Sequence, residues 1–229
     1  LELETDSLVT ETTTVSYHLS ELAIALDPDS PRHAMPQLVA GDRAILDIGC
    51  GIGQTLVACA QAPGRRLVGL DIDHDCLTYG RQHFGHIEFV HGTAEQLPFR
   101  EGAFDLVVSR VALPYSDIGR SLHEIARVLG SDGRVWLSLH SFAKTWAEFK
   151  RSLGRRDYKD VLFRAYVATN GSLLHCLGRQ FRFPRNRRCE SFQTSWGMRR
   201  SLEKAGFTDI HIRRGEHFIC TARKRGGAQ

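Results

Sequence analysis

The run Ile45-Leu-Asp-Ile-Gly-Cys-Gly-Ile-Gly-Gln54 sets three glycines two apart, directly after a short apolar stretch. Gly49 and Gly51 let the backbone turn sharply and approach a ligand closely, because neither carries a Cβ. A helix beginning at Gln54 would present unbonded N–H groups to the polar end of that ligand. A dinucleotide site asks for Gly-x-Gly-x-x-Gly. Here the glycines fall at 49, 51 and 53 and position 54 is Gln, which argues against NAD or FAD. The segment Leu67-Val-Gly-Leu-Asp71 ends a second apolar run in a carboxylate. A carboxylate there can accept both hydroxyls of a ribose bound over the glycine loop. A purely structural turn would use the same glycines, and Asp71 could instead cap the next helix. Asp73 and Asp75 can fill that capping role equally well, which leaves Asp71 for the ribose.

The elements that must hold these residues follow from periodicity. Short apolar strands are expected at Ala44–Ile48, Arg66–Leu70, Ile87–His91, Phe104–Ser109 and Gly133–Leu139. Between them lie helical patterns at Gln54–Gln61, at Asp75–His83 with Asp75 as N-cap, and at Asp117–Leu129. Strands alternating with helices of this length mean βαβ units and a doubly wound, mostly parallel α/β sheet. Residues 1–40 are expected to cover this core from the N-terminal side, with the helical part over 15–40. Residues 41–140 form the core itself. Over 141–192 apolar and basic residues mix without a clean period, which reads as an inserted lid, its first helix started by a Thr145–Glu148 capping box. Residues 193–229 close the single domain with a helix over Ser195–Ala205 and two antiparallel strands, Asp209–Arg213 and His217–Ala222.

Four stretches in order carry a resemblance: Leu46-Asp-Ile-Gly-Cys-Gly-Ile-Gly53; Gly69-Leu-Asp71; Gly92-Thr-Ala-Glu-Gln-Leu-Pro-Phe99; and Phe104-Asp-Leu-Val-Val-Ser109 with Glu124–Leu129 and Asp132-Gly133. Together they resemble the class I S-adenosylmethionine-dependent methyltransferases, in particular the small-molecule group that includes the quinone-biosynthesis enzymes. The resemblance implies a Rossmann-like sheet whose last strand runs antiparallel, and S-adenosylmethionine as cofactor. It implies that Gly49, Cys50, Gly51 and Gln54 border the cofactor's methionine end, that Asp47 holds its ammonium through water, and that Asp71 takes the ribose. Ile72 would pack on the adenine, Thr93, Ala94 and Glu95 would edge it, and Ser109 and Arg110 would face the methionine. Tyr17 and His18 would close over the cofactor. The family usually has Asp at the place of Thr93. A hydroxyl can still hydrogen-bond the adenine amino group, with less charge assistance. Asp132 stands where the family commonly has glycine.

For methyl transfer the protein must hold the acceptor in line with the methyl and exclude water. A base is needed only when the acceptor atom is protonated and weakly acidic. The crevice of an open α/β sheet lies beyond the carboxyl ends of its strands. His140 stands there as a candidate base, and Arg110 and Tyr115 as candidate acceptor contacts. Arg182 and Arg185, among the aromatic residues of the lid, would suit an apolar small-molecule acceptor with an anionic group. No Asn/Asp-Pro-Pro-aromatic motif follows Ser109, no Pro-Cys pair occurs, and no His-Glu-x-x-His spacing suggests a metal.

Composition bounds the rest. Hydrophobic residues make up 42% of the 229, enough for one compact core. No apolar run is long enough to span a membrane, the N-terminus lacks the pattern of a secretory signal, and six cysteines without a C-x-x-C pair read as reduced thiols of a cytoplasmic protein. Residues 1–149 carry 11 basic and 20 acidic side chains, a balance of −9, whereas residues 150–229 carry 19 and 6, a balance of +13. A basic third of this kind either docks an acidic partner, which would make RNA or protein methylation the alternative, or is a solvated face. A non-catalytic cofactor-binding protein is the remaining reading.

Overall fold

The computed structural model describes residues 2–60, 64–140, 142–155, 158–184, 189–215 and 217–226. Five strands run parallel: β1 (Ala44–Ile48), β2 (Arg66–Asp71), β3 (Glu88–His91), β4 (Phe104–Arg110) and β5 (Leu129–Leu139). The C-terminal hairpin of β6 (Phe207–Arg214) and β7 (Phe218–Lys224) joins through β7, antiparallel to β5. The sheet order is β3-β2-β1-β4-β5-β7-β6. Chain direction across the sheet reverses between β1 and β4, which opens a crevice at their carboxyl ends.

Strand alternation divides the core into two layers. Leu46, Val68, Val107, Val135 and Leu137 face Leu122 and Ile125 of α4 (Ile118–Val128) and Met198 and Leu202 of α7 (Ser195–Lys204). Ile45, Leu67, Val108 and Trp136 face the other way, against Leu56 of α2 (Gln54–Cys59) and Leu77 of α3 (His74–His83). Phe104 and Phe207 are fully buried, each contributing about 1.5–3 kcal/mol by leaving water.

The core strands lie within a few residues of their expected positions, and the differences are local. Helix α1 (Glu2–Leu26) starts earlier than residue 15 and stops at Leu26, and 27–43 is turn and extended chain. Pro28 and Pro31 explain the stop. Helix α3 is capped by Asp73, not Asp75: the Asp73 carboxylate accepts from the N–H groups of Asp75 and Cys76 at 3.0 and 3.1 Å. Strand β5 follows α4 at once and begins at Leu129, not Gly133. Asp132 there has φ +61, the left-handed region that favours glycine and that Asp tolerates better than most residues. Thr145 caps nothing, since α5 (Phe142–Arg155) begins before it. Helix α6 (Tyr158–Leu177) packs against α5, and the two make up the segment expected to form the lid. Arg164 of α6 ties it together, 2.8 Å from Glu148, 3.3 Å from Asp160 and 3.7 Å from Glu190.

Candidate functional site

The glycine loop leaves β1 with φ values of +75 at Gly49, +55 at Gly51 and +95 at Gly53. All three lie in the region where a side chain is strained. Close approach adds a second constraint at each of them, a Cβ on Gly53 falling 2.8 Å from Cζ of Phe89. A Cβ on Gly49 would fall 2.0 Å from the Cβ of Ala112, and one on Gly51 would fall 2.4 Å from Nδ1 of His18. The loop is therefore pressed between the segment after β4 and helix α1. Asp71 ties it from β2: one carboxylate oxygen accepts from the Gly51 N–H at 2.7 Å, the other from Asp73 N–H at 2.9 Å. Each oxygen keeps a lone pair.

Asp47 is the most unusual group at the site. It is 1% exposed, and neither carboxylate oxygen has a hydrogen-bond partner. Burial pushes its carboxyl up to about 7, against the pull of Arg110. The Thr55 hydroxyl lies beside it without making a hydrogen bond. Arg110, at the end of β4, donates through Nη2 to Glu21 of α1, while its Nη1 is buried without a partner. The second Glu21 oxygen holds Arg32. Gln54 bonds His18 at 3.1 Å through its amide nitrogen, and its amide oxygen is buried and unpartnered. Burial lowers the His18 pKa below its ordinary value, with Asp71, Asp73 and Glu21 opposing. Tyr17 is exposed at the rim, its hydroxyl raised by burial and by Glu21.

Beyond the loop, Ile72 is exposed and open to a flat partner. Thr93 is exposed and bridges its backbone to Gln96, and Ala94 packs on the core. Glu95 is turned toward the start of α4: it accepts from Asp117 N–H and from Arg182, both at 3.1 Å. Both bonds end on Oε1, so that oxygen serves the start of α4 and Arg182. Ser109 is fully buried and donates to the Ile48 carbonyl at 2.9 Å. Adjacent strand residues point to opposite faces, so the Ser109 and Arg110 side chains leave the sheet on different sides. The Cys50 side chain lies in the core, and a Cβ on Gly69 would fall 2.7 Å from its sulfur. Only its backbone can border a ligand.

Tyr115 and His140 come together at the carboxyl edge, ring centroids 5.3 Å apart and edge to face. His140 is buried, and its backbone N–H donates to the Gln193 side-chain oxygen at 3.1 Å. The Tyr115 hydroxyl is pushed up to about 12 by burial, then by Glu190 and Glu148. Arg182 is on the lid but paired with Glu95. Arg185 lies outside the described residues, as do Arg187 and Arg188. The sequence reading missed Glu21, Arg164 and Glu190. A lone acid in the apolar stretch Leu19–Leu26 was the available signal for Glu21. Among the described residues no group of three or more His, Cys, Asp or Glu is placed to hold a metal. No helix among them is long and apolar enough to cross a membrane, and the six cysteines are free thiols.

A family model described as a methyltransferase domain matches residues 46–137. Demethylmenaquinone methyltransferase of Chlorobaculum tepidum is 30% identical over 94 residues, 41% of this chain and 39% of that one. The same enzyme of Staphylococcus haemolyticus is 28% identical over 190 residues, 80% of this chain and 76% of that one. The matches to the first two curated relatives thus span about two-fifths of those proteins' length. Among solved structures, a SAM-dependent methyltransferase of Methanosarcina mazei superposes with TM-score 0.54 at 19% identity, covering 82% of this chain and 94% of the other. Human N-acetylserotonin methyltransferase in complex with SAM gives 0.54 at 18%, covering 80% and 48%.

Proposed function

We propose that this chain is a class I S-adenosylmethionine-dependent methyltransferase that transfers the cofactor's methyl group to a small-molecule acceptor. One observation carries the reading: buried Asp47, with both oxygens unpartnered, lies under the glycine loop at the sheet's switch point. An unsatisfied buried carboxylate is costly and fits a ligand cation. Asp71 with its remaining lone pairs fits the ribose, and exposed Ile72 fits a base. The residues present therefore suit S-adenosylmethionine.

When bound, the cofactor supplies a sulfonium methyl open to direct attack by a nucleophile. The chain's own residues then have three tasks. Asp47, Asp71 and the glycine loop bind and orient the donor. Helix α1 from one side and the α5–α6 lid from the other exclude water. Tyr115 and His140 border the acceptor, and the His140 ring takes a proton from the acceptor atom where that atom carries one. The Glu148 and Glu190 carboxylates near Tyr115 favour an acceptor that is neutral or hydrogen-bond-donating at that face. An anionic group on the acceptor would have to lie nearer the rim, toward Arg182.

A second reading has its own observation. A groove of about 810 Å³ lies on the β5-β7-β6 face, with exposed Arg213 and Arg223 on its wall. RNA methylation with docking through this basic face would use it. The test takes calorimetry first: S-adenosylhomocysteine should bind and NAD should not. Methyl-labelled cofactor is then incubated with a metabolite extract and, separately, with total RNA. Label in a small molecule supports the proposal, and label in RNA alone supports the second reading. Absence of S-adenosylhomocysteine binding overturns both.

A further inference from the structure

We infer that Glu21 is a positioning residue of the cofactor site: from α1 it holds Arg110 so that the guanidinium's open edge and Asp47 receive the two charges of an α-amino acid group. The inference rests on the cofactor reading above. Its basis is a pair of opposite charges that are close enough to interact and yet not bonded to each other. Arg110 is the main pull on the Asp47 carboxyl, but Nη1 of Arg110 and both oxygens of Asp47 lack hydrogen-bond partners. Both side chains are nearly sealed from water, Arg110 at 10% exposed. Left to themselves, a buried cation and a buried carboxylate would close into a direct pair. Glu21 instead takes the Nη2 edge of Arg110 and fixes the guanidinium with Nη1 unpartnered.

Glu21 is itself fixed. Its residue is 8% exposed, and its second oxygen is held by Arg32 from the segment after α1. The triad of Arg32, Glu21 and Arg110 carries one net positive charge. A carboxylate at Nη1 would neutralise it, and an ammonium at Asp47 would neutralise the facing carboxylate. A zwitterionic amino acid end answers both demands together. Charge-assisted bonds of this kind are about twice as strong as neutral ones.

The test compares two ligands that differ only in that end. S-adenosylhomocysteine carries the amino acid group, and 5′-methylthioadenosine lacks it. Calorimetry on Glu21→Gln should show roughly tenfold weaker binding of S-adenosylhomocysteine, about 1.4 kcal/mol, and unchanged binding of methylthioadenosine. Equal loss for both ligands would mean a merely structural role and overturn the inference, as would no loss for either. Because Glu21→Gln removes a buried charge, Arg32→Gln is measured alongside it. Arg32 is 63% exposed, so its loss leaves the core intact while slackening Glu21. It should weaken S-adenosylhomocysteine alone by about threefold, on the same energy scale. Unchanged affinity there counts against the inference. If wild-type protein binds neither ligand, the cofactor reading itself fails.

Discussion

A carboxyl with a pKa of about 7 makes ligand binding depend on pH near neutrality, and the sign follows from its partner. Asp47 titrates there because burial disfavours its charged form. An ammonium beside it favours that form, so the complex holds the carboxyl lower. Binding then expels a proton below pH 7, and affinity falls as pH drops through 7, by at most tenfold per unit. The groups facing Asp47 are Arg110 from β4, Asp71 from β2, Thr55 from α2 and the Cys50 and Cys59 thiols, both pushed up and so protonated. Calorimetry with S-adenosylhomocysteine between pH 5.5 and 7.5 should show the fall, and Asp47→Asn should flatten it. A wild-type profile as flat as that of the variant would refute the assignment. Asp71 gives a companion test. Asp71→Asn should weaken binding by about 1.5–3 kcal/mol through loss of charge-assisted hydrogen bonds. At this scale the sequence was informative where spacing fixes position, as for Asp47 and Asp71. Which way a side chain faces was not legible: Ser109 donates to Ile48, and one Glu95 oxygen accepts from Asp117 and Arg182.

Elements were legible because each has a local cause. Short buried runs such as Ile45–Ile48, cut off by glycine turns, suit strands of a doubly covered sheet. Ambiguity arose where two residues could do one local job, as at the start of α3. Asp73 has extended backbone geometry and accepts two helix N–H groups, while Asp75 lies inside the first turn. Asp73→Ala should therefore cost about 1 kcal/mol, or about 2–4 °C in melting temperature for a chain of this size. Asp75→Ala loses only a favourable charge near the helix start, worth about 0.3–1 kcal/mol. Urea unfolding of the two variants decides it, and a larger loss in Asp75→Ala would reverse the assignment. The affinity for S-adenosylhomocysteine should stay unchanged in Asp73→Ala, because Asp71 meets position 73 through the backbone.

At the scale of the whole molecule, the core and its covers differ in how far apart their contacts lie in sequence. The methyltransferase-domain match ends at residue 137, just short of the lid. Covers are held by pairs such as Arg110 with Glu21, 89 positions apart, and His140 with Gln193, 53 apart. No periodicity reports such pairs, so the covers were legible in outline and not in detail. The basic balance of the C-terminal third also hides a local reversal. Among the described residues, Arg164 is met by Glu148, Asp160 and Glu190. Its side chain is 22% exposed, so its pairs are partly desolvated and worth more than surface ones. Arg164→Met removes the cation that Glu148, Asp160 and Glu190 share and keeps much of the volume. The α5–α6 junction should loosen while the proposed cofactor site, built on β1, β2, β4 and α1, stays intact. Limited proteolysis should then cut faster within 142–177 than in wild type, with S-adenosylhomocysteine affinity within about twofold, a difference of less than 0.5 kcal/mol. If the lid resists protease as before, Arg164 does not hold it. If cofactor affinity falls with it, lid and cofactor site are one cooperative unit, and the division of labour between α1 and the lid is wrong.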